Sequence, residues 1–411
     1  MTAEIGILNM RGLALAADSA VTVSGNGNSK VYNNANKIFT LGGSHSLGIM
    51  IFGNADLMGV PWEVLIKTYR EEIKDEVFDS FDQYIESFFD FINQIDVINN
   101  LKGDDSVVIS YCMQLLSDIN DLFDARVSES VSEENEISKQ ELEELLVETM
   151  QEILLKIETN NIILNFDKSM FSIAYSEIIN NIFSDVTSFD LENSTVELFG
   201  NLVFELSRRE LFSGAKTGLV IAGYGKKDLF PKLVEYSIDG FVLDEFKICE
   251  EKTVNIFEGE GAVSSQLVPF AQQEMVHTVL TGMDPNYKKF IVQQDASLAN
   301  SLKNVLELDD ESRQVIDEIF QEKLNDMNSF SRSTFSDPVI STIDFLPVSE
   351  LATMAETFVN LTSFKRKFTY QLETVGGPID VLVISKGEGP IWIKRKHYFD
   401  PKLNHNFFKR G

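Results

Sequence analysis

The 411-residue chain carries 35 Lys and Arg against 64 Asp and Glu, a formal net charge of −29, and 44% of its residues are hydrophobic. That carboxylate excess repels phosphate backbones and disfavours nucleic-acid binding. With 31 Phe and 10 Tyr the composition is that of a chain with a core, not a disordered one. Length alone fits two or three domains, or one domain with large insertions.

In chain order, the first fifty residues read as strands and turns. Ile5, Ile7 and Leu8 lead into a turn over Asn9–Gly12, and Leu13 to Asp18 returns, so a hairpin is predicted at the start of the sequence. The Gly/Asn-rich stretch Gly25–Asn36 reads as a loop, and Lys37–Leu41 and Leu47–Phe52 as two further strands. Pro61 fits a helix start, with Trp62, Leu65, Ile66 and Tyr69 at helical spacing behind it. Helix signals then dominate to about residue 212, including a capping box at Ser138 and Glu141. The acidic stretch Glu129–Glu148 reads as a solvated helical face. Strands return at 217–222, 232–238, 241–249 and 253–257, with a turn at Ile238-Asp239-Gly240. A helix is predicted over Ala262–Leu280, polar helices with loops over 284–345, and an amphipathic helix through Leu351, Ala355, Phe358, Val359 and Thr362. Strands at 379–385 and 390–394 follow. The order implies an α+β fold, two antiparallel sheets covered by helices.

Several chemistries lack their residues. Cys112 and Cys249 sit in no metal-ligand spacing, and two cysteines in so long a chain do not suggest an oxidising compartment. His45, His277, His397 and His405 form no HExxH or HxH, so zinc hydrolysis is not expected. There is no GxSxG and no phosphate-loop glycine spacing. The opening residues lack a basic and then apolar leader, and the apolar runs are too short to span a bilayer. The expectation is a cytoplasmic protein without cofactor, metal, nucleic-acid or membrane partner. Lys394, Arg395 and Lys396 read as solubilising charge.

Position two carries the strongest functional signal. If Met1 is removed, Thr2 presents an α-amine beside its own hydroxyl, one of the convergent ways to activate a nucleophile. A reference pKa near 8 lets that amine serve as a base at neutral pH. The context is Thr2-Ala-Glu-Ile-Gly-Ile, a turn, Leu13-Ala-Leu-Ala-Ala-Asp18-Ser-Ala-Val-Thr22, then Asn36-Lys37-Ile38-Phe39-Thr40-Leu41 and Gly53-Asn54-Ala55-Asp56. This resembles the N-terminus of proteasome β-subunits and their bacterial proteasome-type relatives. Blocks at Leu219–Tyr224, Pro231–Gly240, Gly259–Ala262 and Gly376–Ile384 resemble later parts of that family, in the same order.

The resemblance implies an N-terminal nucleophile hydrolase: a four-layer αββα sandwich of two antiparallel sheets over 1–411, with helical insertions at about 80–212 and 284–345. It implies Thr2 as nucleophile on a peptide or protein amide, Lys37 as the ammonium that favours the neutral amine and the developing alkoxide, and Asp18 as the group that aims Lys37. By the same resemblance the oxyanion donor falls at the Met50 backbone N–H, supporting contacts fall at Glu260, Glu373 and Thr374, and the substrate pocket is lined by Val21, Ala35 and Phe39. It implies a homo-oligomer. Two other readings stay open at this point: a catalytically silent scaffold or binding subunit of that fold, and a small-molecule amidase.

Overall fold

A computed structural model describes residues 2–25, 28–74, 76–130, 138–186, 191–305, 309–368 and 375–404. It is α+β, with mixed helices and antiparallel sheets. The strands are β1 (Ala3–Asn9), β2 (Gly12–Ala17), β3 (Val21–Gly25), β4 (Asn28–Tyr32), β5 (Ile38–Thr40), β6 (Ser46–Gly53), β7 (Asp56–Leu57), β8 (Val60–Pro61), β9 (Thr217–Tyr224), β10 (Lys232–Val242), β11 (Glu245–Asn255), β12 (Ser265–Ala271), β13 (Asp380–Ser385) and β14 (Gly389–Lys394). The helices are α1 (Trp62–Ile73), α2 (Phe81–Gln94), α3 (Asp96–Asn99), α4 (Ser106–Ser130), α5 (Lys139–Glu158), α6 (Lys168–Val186), α7 (Asn193–Arg208), α8 (Glu274–Thr281), α9 (Pro285–Val305), α10 (Asp310–Ser331), α11 (Asp337–Ile343) and α12 (Val348–Lys367).

One five-stranded sheet has the order β12-β1-β2-β13-β14 and the other β11-β10-β9-β6-β5. Strand β1 is buried along its whole length, because its two faces meet different neighbours. Ala3, Ile5 and Ile7 pack with Leu351, Ala355, Phe358 and Val359 of α12. Leu8 lies in a second cluster with Met50, Val220, Leu233 and Phe270, drawn from both sheets. The outer face of the second sheet, with Ile49, Leu219, Ile221 and Tyr236, packs on Trp62, Tyr69 and Phe88 of α1 and α2. The Trp62 indole N–H donates to Thr217 Oγ1 at 2.9 Å and pins α1 to β9.

Helices α4 to α7 form a cluster of their own, with Tyr111, Met150, Phe171, Phe183, Phe199 and Val203 at its centre. The α5 capping box at Ser138 is present. Helix α2, within the stretch read as insertion, instead belongs to the sheet cluster. A fully buried lysine fastens the helical cluster to β11: Lys247 Nζ donates to the carbonyls of Leu206 (2.8 Å) and Leu211 (2.6 Å) and lies over the Tyr111 ring. Burial pushes its pKa down to about 7, against the pull of Asp239.

Three expectations are corrected. Residues 25–36 are not all loop, since β3 and β4 pair from Val21↔Tyr32 to Gly25↔Asn28. The turn read at Gly240 is a bulge within β10, where the register shifts between Ile238 and Gly240. Gly240 takes φ +125° there, and a Cβ would come within 2.8 Å of Met58. The bulge turns Asp239 outward to accept from the Tyr111 hydroxyl (2.6 Å) and from the Ser213 N–H (2.9 Å). The helix read over 262–280 is strand β12 followed by the shorter α8. Pro269 fits β12 because that strand is the edge of its sheet.

At the far end of β1, buried Asn9 is fully employed. Its side-chain N–H groups donate to the carbonyls of Ile343 (2.7 Å) and Leu346 (2.9 Å), and its oxygen accepts from the Arg11 N–H at 2.8 Å.

Candidate active site

The site lies at the Thr2 end of β1. The Gln272 N–H donates to the Thr2 carbonyl at 3.1 Å, which continues the β1–β12 ladder past Ala3↔Ala271. Ala271 has φ +55°, a left-handed conformation that turns the chain out of β12 and towards α8 beside Thr2. Thr2 is only 7% exposed.

Asp18 ends β2 beside this point, and its carboxylate organises the site. Oδ1 accepts from the Ala3 N–H (3.1 Å) and from Lys37 Nζ (2.5 Å). Oδ2 accepts from the Ala20 N–H (3.2 Å) and the Gly376 N–H (2.9 Å). The Asp18 N–H returns to the Ala3 carbonyl at 3.1 Å. Lys37 enters from the residue before β5, and both side chains are buried. A buried ammonium needs such a partner, since desolvation without one is costly. The sequence-predicted Thr2, Asp18 and Lys37 are thus brought together: Ala3, the residue after Thr2, and Lys37 share one carboxylate oxygen.

A second charged group stands behind Lys37. Asp380 of β13 pairs with Lys396 and with Arg395 (3.0 Å) and accepts from the Lys396 N–H at 2.8 Å. Arg395 also donates to the Ile38 carbonyl (3.1 Å) and lies over the Trp392 ring. Burial holds Lys396 below its usual range, Asp380 opposes that, and Arg395 and Lys37 add to it. Arg395 and Lys396 are therefore parts of the buried network, not solubilising charge. Lys394 alone fits that reading, pairing with Glu356 at the surface.

Glu4 is the residue that sequence reasoning missed. It is 1% exposed, faces Ala17 and Phe270 across the ladder, and shares the inter-sheet side of β1 with Gly6 and Leu8. Burial pushes its pKa up to about 8; Lys37 and the Thr2 hydroxyl lower it and Asp18 raises it. Thr2 is thus near enough to act on Glu4 but outside hydrogen-bond geometry: among the described residues Thr2 Oγ1 and both Glu4 carboxyl oxygens are buried without a hydrogen-bond partner. The available signal was its odd position, a Glu on the same side of a strand as Gly6 and Leu8.

Other candidates fall elsewhere. Glu260 is exposed in the turn before β12. Ser265 of that strand pairs with Asn9, so Glu260 sits at the opposite end of β1, roughly 20 Å from Thr2 at a strand's rise per residue. Met50 is buried between the sheets. The Ile51 N–H donates to the Lys37 carbonyl, so strand alternation turns the Met50 N–H towards β9, opposite Val220. Phe39 is buried in the core with Trp62 and Tyr69. Val21 and Ala35 are half-buried near Asp18 and Lys37, and the Ala35 N–H donates to the Ser19 carbonyl at 3.1 Å. Glu373 and Thr374 lie outside the described residues.

No family model matches this chain, and no curated protein matches it. Similar solved structures include Anbu from Hyphomicrobium sp. strain MC1. A Gly-1 mutant of it has 8% sequence identity and a TM-score of 0.28, over 100% of this chain and 94% of that one. A second crystal form has 8% identity and a TM-score of 0.27, over 99% and 94%. Values this low carry no argument about function.

Among the described residues no cluster of three or more His, Cys, Asp or Glu is placed to hold a metal, and no helix is long and apolar enough to cross a membrane. The chemistry on offer is that of a buried hydroxyl, an ammonium fixed by a fully bonded carboxylate, and a second carboxyl whose oxygens are free.

Proposed function

We propose that this chain is an N-terminal threonine hydrolase of the proteasome-like class, built as a four-layer αββα sandwich, that cleaves peptide or protein amide bonds with Thr2 as nucleophile. The observation that carries the reading is the shared Asp18 Oδ1, which joins Lys37 to the residue after Thr2. In this mechanism Thr2 Oγ attacks the amide carbonyl, Lys37 stabilises the developing negative charge, and Asp18 keeps the ammonium aimed. The hydroxyl proton passes to a base beside Thr2. The clusters on both faces of both sheets support the sandwich.

The test combines intact mass with labelling. Protein from its native host is expected to lack Met1, and a β-lactone is expected to acylate Thr2 and block hydrolysis of apolar fluorogenic peptides. Stoichiometric retention of Met1, or full peptide hydrolysis by Thr2→Ala, overturns the reading.

A further inference from the structure

We propose that Glu4 is the proton acceptor for Thr2, taking the hydroxyl proton as Oγ attacks and returning it to the leaving amine. This deepens the proposed function and rests on Thr2 being the nucleophile.

Glu4 is set apart by its unoccupied lone pairs. The groups that act on Glu4 are Lys37 before β5, Asp18 at the end of β2, the Thr2 hydroxyl and the positively charged amino terminus, with Lys396 and Asp380 behind Lys37. Asp18 already accepts four hydrogen bonds, three from backbone N–H groups, so its oxygens are committed. Lys37 is held to Asp18 at 2.5 Å, and an ammonium has no lone pair to give. Glu4 alone has two buried oxygens with nothing to accept. A buried polar group without a partner costs roughly 1–3 kcal/mol, so such a group calls for an explanation beyond stability. Next to it stands a buried hydroxyl that is equally unpartnered. Its remaining surroundings are apolar: Ala17 and Phe270 flank it across the ladder. A pKa raised to about 8 by that burial suits a base working near neutral pH.

The step balances. The Thr2 Oγ–C bond forms as the Oγ–H bond breaks, the proton goes to a Glu4 oxygen, and the carbonyl π pair becomes the oxyanion. On collapse the C–N bond breaks, and the Glu4 proton moves to the departing nitrogen. Water then cleaves the resulting ester with Glu4 again as acceptor.

The experiment follows acylation of Thr2 by a β-lactone, read by intact mass across pH 6–9. In the wild type the rate is expected to rise with pH. Glu4→Gln, which keeps the shape, is expected to slow acylation roughly 10- to 100-fold at the top of that range and to flatten the rise. Glu4→Asp is expected to keep a rise with a lower plateau. A Glu4→Gln protein with the wild-type rate and the wild-type rise overturns the proposal, and leaves the amine as base and the threonine reading standing. Absence of acylation in the Met1-free wild type, at every pH, instead overturns the threonine reading and this proposal with it. An infrared titration of the wild type supplies a readout independent of turnover: a protonated-carboxyl band is expected to disappear near pH 8 and to be missing from Glu4→Gln. Its absence from the wild type overturns the proposal whatever the kinetics.

Discussion

The two ends of β1 are buried alike and built differently. At the Asn9 end a neutral amide spends its hydrogen-bonding capacity on two carbonyls and one N–H. At the Thr2 end, five residues away from Asn9, Glu4 has two bare oxygens and Thr2 a bare hydroxyl, next to a carboxylate saturated with partners. Burial by itself does not explain the second arrangement, because the same strand shows how a buried polar group is satisfied. The difference teaches where to look for chemistry: at groups left able to exchange protons, not at those that are merely polar and inside.

Breaking the Thr2 end has the largest expected effect. Thr2→Ala should abolish peptide hydrolysis, and Lys37→Ala should reduce it by roughly 10³-fold or more. Their double variant should be little worse than either, since groups acting as a unit lose activity non-additively. Steady-state kinetics on the three proteins check this; full additivity contradicts the shared site.

Next comes the pH dependence of stability. Glu4 binds its proton more tightly in the fold than in the unfolded chain, with a pKa of about 8 against 4.5. The folded state therefore holds more protons between those values, and stability falls as pH rises through that window, by an amount on the order of 5 kcal/mol if Glu4 acts alone. Glu4→Gln lacks that loss. The two proteins should melt alike near pH 4.5 and diverge towards pH 8, with the variant higher. Parallel melting curves over that range would show Glu4 to be ionised and satisfied in the fold.

At the other end, Asn9→Ala should cost roughly 2 kcal/mol, measured by urea unfolding, because it strands two carbonyls and an N–H. Peptide hydrolysis by the folded variant should be unchanged. The smallest effect is expected for Glu260→Ala, which should alter stability by less than about 0.5 kcal/mol and leave activity untouched. A rate loss in Glu260→Ala would contradict its placement at the far end of β1.

The N-terminal hairpin was legible because its periodicity and its turn residues agree, and Asp18 and Lys37 were found through the resemblance of the same short stretch. What escaped was the consequence of packing a second sheet on the first. The spacing of Ile5 and Ile7 marks one buried face and leaves Glu4 on the face that reads as open; that this face also is covered depends on β6, β9 and β10, which are distant in sequence. Glu260 was misplaced because Ser265–Ala271 reads as helix until Pro269 is weighed as an edge-strand residue. Arg395 and Lys396 look like surface charge until Asp380 of the neighbouring strand is seen beneath them.

The Lys247 clamp has a consequence for how this molecule comes apart. Helices α4 to α7 have their own apolar centre, as a module that can be cut out or exchanged would. The lysine that donates to the Leu206 and Leu211 carbonyls belongs to β11, however, and is buried. Removing the helices strands an amine inside a sheet, and removing the sheet strands two carbonyls at the exit of α7. The two bodies are tied into one cooperative unit, so the amides of Phe199–Val203 and of β10–β11 should exchange with deuterium at a common rate, as a single foldon that opens once.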